Sequence, residues 1–394
     1  MSGANPSPSG AAPQMSQAAI NWQMRQNVLQ VSQPITQQIF STIVASPGNT
    51  NNQVQVPPRF TGLLKRFKVF ITGTFNNTEA SGGASATITP LGLANVLSNV
   101  QFVDTANNTR INTAGWHLDL IATMKYGKPF GGVISSPSAA QEGYGNNFGV
   151  ITKPATIAAA ASAAFAAVFD VPIAYSDSDL RGAVDLNVTN ATAQLQLTLN
   201  PAPFVASGDS TLGVYSGATG TMTNVTITVL QEYLSNLPRN PKTGLYALPP
   251  GDMSTIYTLL STAQTGLVAE SDFPIPYTDF RDYLSTTLVY DNGGTLNNGS
   301  DINYFSLQLA NYTNLFKFGP AAAALKVREA LGFDLPAGCY YFGSRHKPLS
   351  PNSFGNIELN VNPSSVAANS QLLAGFEYMS TLANIGLATA QSVA

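Results

Sequence analysis

Cysteine is nearly missing: Cys339 is the one example in 394 residues, so no disulfide framework forms within the chain. Histidine is limited to His117 and His346, which excludes a metal cluster of the usual Cys/His kind, and no cofactor is expected. Charge is scarce as well. Only 10% of the residues are Asp, Glu, Lys or Arg, against about 25% in an ordinary soluble protein. Solubility therefore rests on Ser, Thr, Asn, Gln and Gly, a composition that suits a surface largely buried by neighbours. No apolar run approaches the ~18–20 residues of a membrane helix. The start lacks the charged and apolar regions of a signal peptide, so a cytosolic-type chain is expected.

Acidic residues are also absent from the first 78 positions, where Arg25, Arg59, Lys65, Arg66 and Lys68 give +5. The remainder carries −8, for a net charge of −3. A basic arm on an acidic body is the pattern of a segment facing lipid head groups or nucleic acid.

What is present is a substantial apolar fraction, 44%, enough for real cores, and at roughly 100–200 residues per domain the length predicts two or three of them. Residues 1–58 read as an N-terminal arm. Within it, a stretch free of Gly and Pro predicts a helix from about Gln14 to Gln33, ended or kinked at Pro34. Ile20, Met24, Val28 and Val31 recur at helical spacing. With Trp22, which suits a water–lipid boundary, and Arg25, they are the candidate membrane-contact residues. The competing assignment packs the same stripe against the base of a neighbouring domain.

Beyond Pro58 the chain breaks into short β-type runs separated by Gly, Asn and Pro. Leu195, Leu197 and Leu199 share one face, as do Val225, Ile227 and Val229. Many short alternating strands argue for an all-β sandwich, barrel or jelly roll. The alanine run from Ala155 is helical by propensity. Phe165, Ala167, Phe169 and Val171 nevertheless keep period two, which predicts a strand from about Ala163. Two short helices are expected later, one capped by Asp252 and running through Ile256, Leu259, Leu260 and Ala263 to Gly266. The other opens at Gly319-Pro320 and runs from Ala321 to Leu331.

Pro238 to Pro250 holds four prolines and marks a boundary, giving blocks 59–240 and 250–394 joined by a linker at 241–249. Leu97-Ser98 followed by Asp104 is echoed, 187 residues on, by Leu284-Ser285 and Asp291. This echo predicts one β fold used twice, with Asp104 and Asp291 at equivalent strand positions.

Catalytic equipment is thin. Neither histidine stands near a nucleophile turn of the Gly-x-Ser-x-Gly kind, and no phosphate loop occurs. Asp177/Asp179 and Asp279/Asp282 are the closest carboxylate pairs, and two carboxylates are all a glycosidase requires. A solvated turn or a helix cap explains both pairs more simply.

Gly115-Trp116-His117-Leu118, Lys153-Pro154-Ala155-Thr156-Ile157 and Val171-Pro172-Ile173-Ala174-Tyr175-Ser176 resemble stretches of a tectivirus major capsid protein. Asp291-Asn292-Gly293-Gly294, Asp301-Ile302-Asn303-Tyr304 and Gly375-Phe376-Glu377-Tyr378 continue the resemblance in the same order. It implies a double jelly-roll coat protein of a membrane-containing icosahedral phage, not an enzyme. Further implications are a homotrimer with pseudo-hexagonal outline, a capsid lattice and an N-terminal helix against the viral inner membrane. Penton and minor capsid proteins are the implied partners, without direct nucleic-acid contact. The implied location is the virion capsid, assembled in the host cytoplasm. The alternative from another class is a jelly-roll carbohydrate-binding or glycoside-hydrolase protein using Asp177 and Asp179.

Overall fold

A computed structural model describes residues 16–47, 51–127, 153–187, 192–205, 212–242, 244–249, 251–278, 281–296, 299–310, 312–344 and 348–381. Sixteen principal strands carry the fold. The first eight are β1 (Gln33–Val44), β2 (Gln53–Val56), β3 (Leu63–Asn77), β4 (Leu97–Val103), β5 (Thr109–Thr113), β6 (Ser162–Pro172), β7 (Gln194–Leu199) and β8 (Gly220–Ser235). The second eight are β9 (Thr255–Gln264), β10 (Phe273–Tyr277), β11 (Asp282–Asp291), β12 (Ile302–Leu309), β13 (Tyr312–Phe318), β14 (Cys339–Gly343), β15 (Ile357–Pro363) and β16 (Gln371–Thr381). Among the described residues three α-helices longer than one turn accompany them, α1 (Gln17–Val31), α2 (Gly115–Tyr126) and α3 (Pro320–Leu331), with a single helical turn at Pro351–Phe354.

The pairing repeats. In the first half one sheet runs β1-β8-β3-β6 and its partner runs β2-β7-β4-β5; in the second half the orders are β9-β16-β11-β14 and β10-β15-β12-β13. Counted within each half, both read first-eighth-third-sixth against second-seventh-fourth-fifth, the order of a jelly roll. Each half also places a helix after its fifth strand, opening at Gly115 in α2 and at Pro320 in α3. The two rolls share one continuous eight-stranded sheet, because β5 of the first pairs in parallel with β9 of the second through Ile111–Leu259 and Asn112–Leu260.

The alternating sequences fold as their period dictates. Leu195, Leu197 and Leu199 in β7 and Val225, Ile227 and Val229 in β8 are fully buried in the first core. The alanine run yields to period two: Phe165 and Phe169 of β6 both point inward, and Phe165 stacks on Phe75 at 4.2 Å. Burying two phenylalanines outweighs the fraction of a kcal/mol per residue that helix propensity offers.

Three expectations need correcting. The arm does not extend to residue 58, because β1 lies along the long strand β8 from Gln33–Ser235 to Val44–Val225, and β2 edges the shared sheet. The helix expected after Asp252 is a single short turn at Asp252–Ser254 followed by β9, which is held between β16 and β5. Thr255, Ile256, Tyr257 and Thr258 are β-branched or aromatic, and the sheet's hydrogen bonds override a helical spacing of apolar residues. Finally, Asp104 and Asp291 are not equivalent. Asp104 follows the fourth strand of its roll, whereas Asp291 ends the third strand of the other. Their likeness is turn chemistry. Asp104 accepts from the amides of Ala106 and Asn108 (both 2.9 Å), Asp291 from that of Gly294 (2.6 Å). Asn107 and Gly294 are both left-handed, at φ 63° and 90°.

Candidate functional site

Two places gather the residues with chemical potential: the helix α1 on the first roll, and the seam between the rolls.

Ser16 caps α1 by accepting from the Ala19 amide (3.3 Å), and Ser32 ends the helix. Val28 is completely buried among Leu63, Ala174, Leu180, Ala183, Leu234 and Leu248. Arg25 donates through two nitrogens to the Asp252 carboxylate, each at 2.7 Å, and Asp179 stands 3.9 Å from its Nε. The Asp252 hydrogen bond, working against burial, raises the Arg25 pKa further. The candidate membrane-contact residues therefore divide. Val28 and Arg25 fasten the helix to the body, Met24 is half-buried, and Ile20, Trp22 and Val31 are exposed, Trp22 at 60% and Val31 at 66%. Among the described residues no helix is long and apolar enough to cross a membrane.

The basic cluster at the start of β3 is engaged by carboxylates of its own roll. Lys65 meets Asp177 at 2.8 Å, and Arg66 contacts the same oxygen. Glu232 binds Arg66 at 2.9 Å and Lys68 at 3.0 Å. Burial alone would raise the Asp177 carboxyl, but the hydrogen bonds from Arg66 and Lys65 hold it down at about 2. Asp179 is gripped by Arg181 at 2.6 Å. Asp177 and Asp179, considered for glycoside hydrolysis, are thus ionised partners of cations, without the raised pKa a general acid requires. Asp279 and His346 lie outside the described residues.

Within the seam lies a closed polar group. Lys125, from α2, places Nζ 2.7 Å from Glu377 and 2.7 Å from the Tyr257 hydroxyl, and donates to the Tyr175 carbonyl at 2.9 Å. Ser285 donates to the other Glu377 oxygen at 2.6 Å. The ammonium also lies over the Tyr257 and Tyr175 rings, 4.3 and 4.7 Å from their centroids. Glu377 has no exposed surface. Sequence reasoning missed this group because its members are scattered along the chain from Lys125 to Glu377. The helix signal was present, in an uninterrupted stretch from Trp116 to Tyr126 closed by left-handed Gly127.

His117 lies in the same seam, its Nδ1 2.7 Å from the Thr113 hydroxyl. That spacing matches a base and nucleophile, yet both side chains are buried and burial pushes the imidazole down to about 3. A base that weak, closed to substrate, does not activate a hydroxyl near neutral pH. Cys339 is likewise enclosed, and its thiol pKa is pushed up by burial.

Comparison with known proteins agrees with this architecture. The P3 major capsid protein N-terminal family profile matches residues 6–237, and the P3 major capsid protein C-terminal profile matches residues 254–394. Major capsid protein P3 of Enterobacteria phage PRD1 is 38% identical over 369 residues, spanning 92% of this chain and 91% of that protein. Among solved structures, the STIV MCP matches with a TM-score of 0.65 at 10% identity, covering 89% of this chain and 97% of that one. The PBCV-1 virus capsid matches at 0.51 with 12% identity, covering 88% and 94%. At such identities the structures attest the double jelly-roll fold alone, while the sequence matches reach further. The chain belongs to the P3 major capsid protein family, and so to the structural proteins of viral shells and not to the enzymes.

Proposed function

We propose that three copies of this chain close into a ring whose six rolls give a pseudo-hexagonal capsomer, and that such capsomers tile an icosahedral shell around an internal membrane. The supporting observation is the repeated strand order in one chain, with the two rolls fused through a shared sheet. A rigid pair of similar lobes, repeated by a threefold axis, presents six similar outlines to a lattice. The ring is heterologous and closed, so each copy offers two different faces to its neighbours. Penton and minor capsid proteins are the further partners, and the location is the virion capsid after assembly in the host cytoplasm. Light scattering on a sizing column tests the ring: a mass three times that of the 41.4 kDa chain is expected, with hexagonal particles in electron micrographs. A monomer at micromolar concentration would overturn it.

In the same reading α1 lies on the inner side, and Ile20, Trp22 and Val31 touch lipid. The contact is apolar in character. Arg25 is engaged by Asp252, and Lys65, Arg66 and Lys68 by Asp177 and Glu232, which removes the ~1 kcal/mol per cation that anionic lipid would otherwise add. Three exposed residues bind weakly, and many arms on one shell supply avidity. Flotation with anionic and zwitterionic liposomes should recover purified protein equally, with little dependence on salt, and W22S should lower recovery in both. Recovery confined to anionic vesicles at low salt would show that the ion pairs open. The burial of Val28 supports a second role for the helix, as a brace on its own roll.

A further inference from the structure

The second roll is hollow at one end. A cavity of about 510 Å³ lies between α3 and the ends of β12, β13 and β14, within the roughly 300–1,000 Å³ range of small-ligand sites. Its walls are largely aromatic and aliphatic. Phe316 stacks on Phe318 at 4.6 Å and on Phe342 at 5.9 Å, with Leu307 and Leu309 behind them. Met124 reaches in from α2 of the other roll. Three uncharged polar side chains line the wall, Tyr277, Tyr341 and Ser344; the Tyr277 hydroxyl is engaged with Thr286 at 2.7 Å and the Ser344 hydroxyl with the Tyr283 carbonyl at 2.7 Å.

Among the described lining residues only Lys326 carries a formal charge. Its Nζ rests over the Phe318 ring at 4.4 Å and the Phe316 ring at 5.8 Å. No carboxylate among the described residues forms a salt bridge with it, although Glu329 stands one turn on along α3. Ala323 and Val327, on the buried face of the same helix, floor the cavity beneath it, so the charge sits at the boundary between apolar interior and solvent.

We propose that this cavity binds a single-chain anionic amphiphile, a fatty acid, with the alkyl chain among Phe316, Phe318 and Phe342 and the carboxylate on Lys326 Nζ. A neutral alkane offers the ammonium no counter-charge, and a cationic amphiphile meets it with like charge. An aliphatic chain also exploits the ring faces without needing hydrogen-bond donors from the wall, where the Tyr277 and Ser344 hydroxyls already have partners.

The test is titration calorimetry on the purified full-length chain with monomeric decanoate, decanol and decylamine. Decanoate should bind tightest, and affinity should rise about fourfold per methylene from octanoate until the cavity is full. K326Q, on the exposed side of α3, should weaken decanoate at least tenfold while leaving decanol within twofold. A330W, at the cavity mouth, should abolish all three. A photoreactive fatty acid should label residues between Leu307 and Lys326. Thermal melts of both variants establish that each is folded. Equal affinity for the three probes, or decanoate binding indifferent to K326Q, would overturn the anion assignment. Binding untouched by A330W, or none in any arm, would overturn the site.

Discussion

Lys125 and Glu377 form an ion pair in a region where neither side chain reaches water to any extent, with side-chain exposures of 6% and 0%. Two such charges are tolerable only because Tyr257, Ser285 and the Tyr175 carbonyl satisfy their remaining hydrogen-bonding capacity. K125M, which leaves Glu377 charged and buried, should cost about 3–5 kcal/mol. The double variant K125M/E377L should recover much of that loss, as read from urea midpoints. A double variant no better than the single one would contradict the account. His117 makes a pH prediction of definite sign. Its folded pKa is held by burial at about 3, below the roughly 6.5 of the unfolded chain. Between those values the unfolded state binds a proton that the folded state refuses, so stability falls as pH falls through that window. The loss is about 1.4 kcal/mol per pH unit. H117L should lack this slope, and urea titrations at pH 7, 5.5 and 4 compare the two directly. Gly375 is bound to the same place, since a Cβ there would stand 2.3 Å from His117 Cδ2 and 2.4 Å from the Thr287 hydroxyl oxygen. Alanine at 375 forces either the helix or the sheet to move.

At the scale of elements, α1 is held by Val28 and Leu29 on one apolar cluster and by Arg25 on Asp252. R25A removes a charge-assisted, two-pronged hydrogen bond and leaves the buried Asp252 without its cation, so the helix should detach before the rolls lose anything. Limited proteolysis should cut R25A between residues 17 and 31 much faster than wild type, with the main thermal transition unchanged. Equal cutting would mean that the apolar contacts of Val28 and Leu29 hold the helix without the ion pair. Strand β6 illustrates the opposite regime, in which many weak contacts override a strong local preference. Its eleven-residue pairing with β3 runs from Arg66–Pro172 to Asn76–Ser162. Phe165 fills the space above Gly73, whose Cβ would fall 2.8 Å from the ring. F165A should cost about 3–5 kcal/mol, and the far-UV spectrum of the folded variant should stay β-type.

For the whole molecule, the rolls are fused and not merely tethered. The first core includes Tyr257, Leu259, Leu284 and Met379, all from the second roll. A separate cluster of Leu91, Trp116, Leu120, Val289, Cys339 and Leu373 straddles the seam. Left-handed Gly182 brings the first roll so close that a Cβ would lie 2.5 Å from Tyr257 Cβ. Cutting the chain in the 241–249 connection would expose the β5 and β9 edges together with these apolar faces. Residues 1–240 expressed alone should therefore aggregate, and co-expression with 250–394 should restore soluble protein. A soluble, cooperatively melting first half would show that the seam is not needed for its fold.

The β class, the helix over 17–31, the α3 helix and the alternating cores of β6, β7 and β8 were all determined by local sequence. In each, neighbouring residues carry the period that burial then rewards, and Gly or Pro supplies the ends. The Leu-Ser…Asp echo shows the limit of that kind of reading: it reported a shared turn with left-handed Asn107 and Gly294, and said nothing of strand position. Tertiary structure alone decided that β1 belongs to the first roll, because an exposed, weakly alternating strand is recruited by the unpaired edge of β8 and not by its own residues. It also decided that the residues after Asp252 extend, since a place between two existing strands supplies hydrogen bonds on both sides that a lone helix must find within itself. The seam was decided in the same way. Lys125, Glu377, Tyr257, Ser285 and His117 lie far apart in the sequence, and their pairing, with the lowered pKa of His117, exists only where the fold of two rolls removes water from all of them at once.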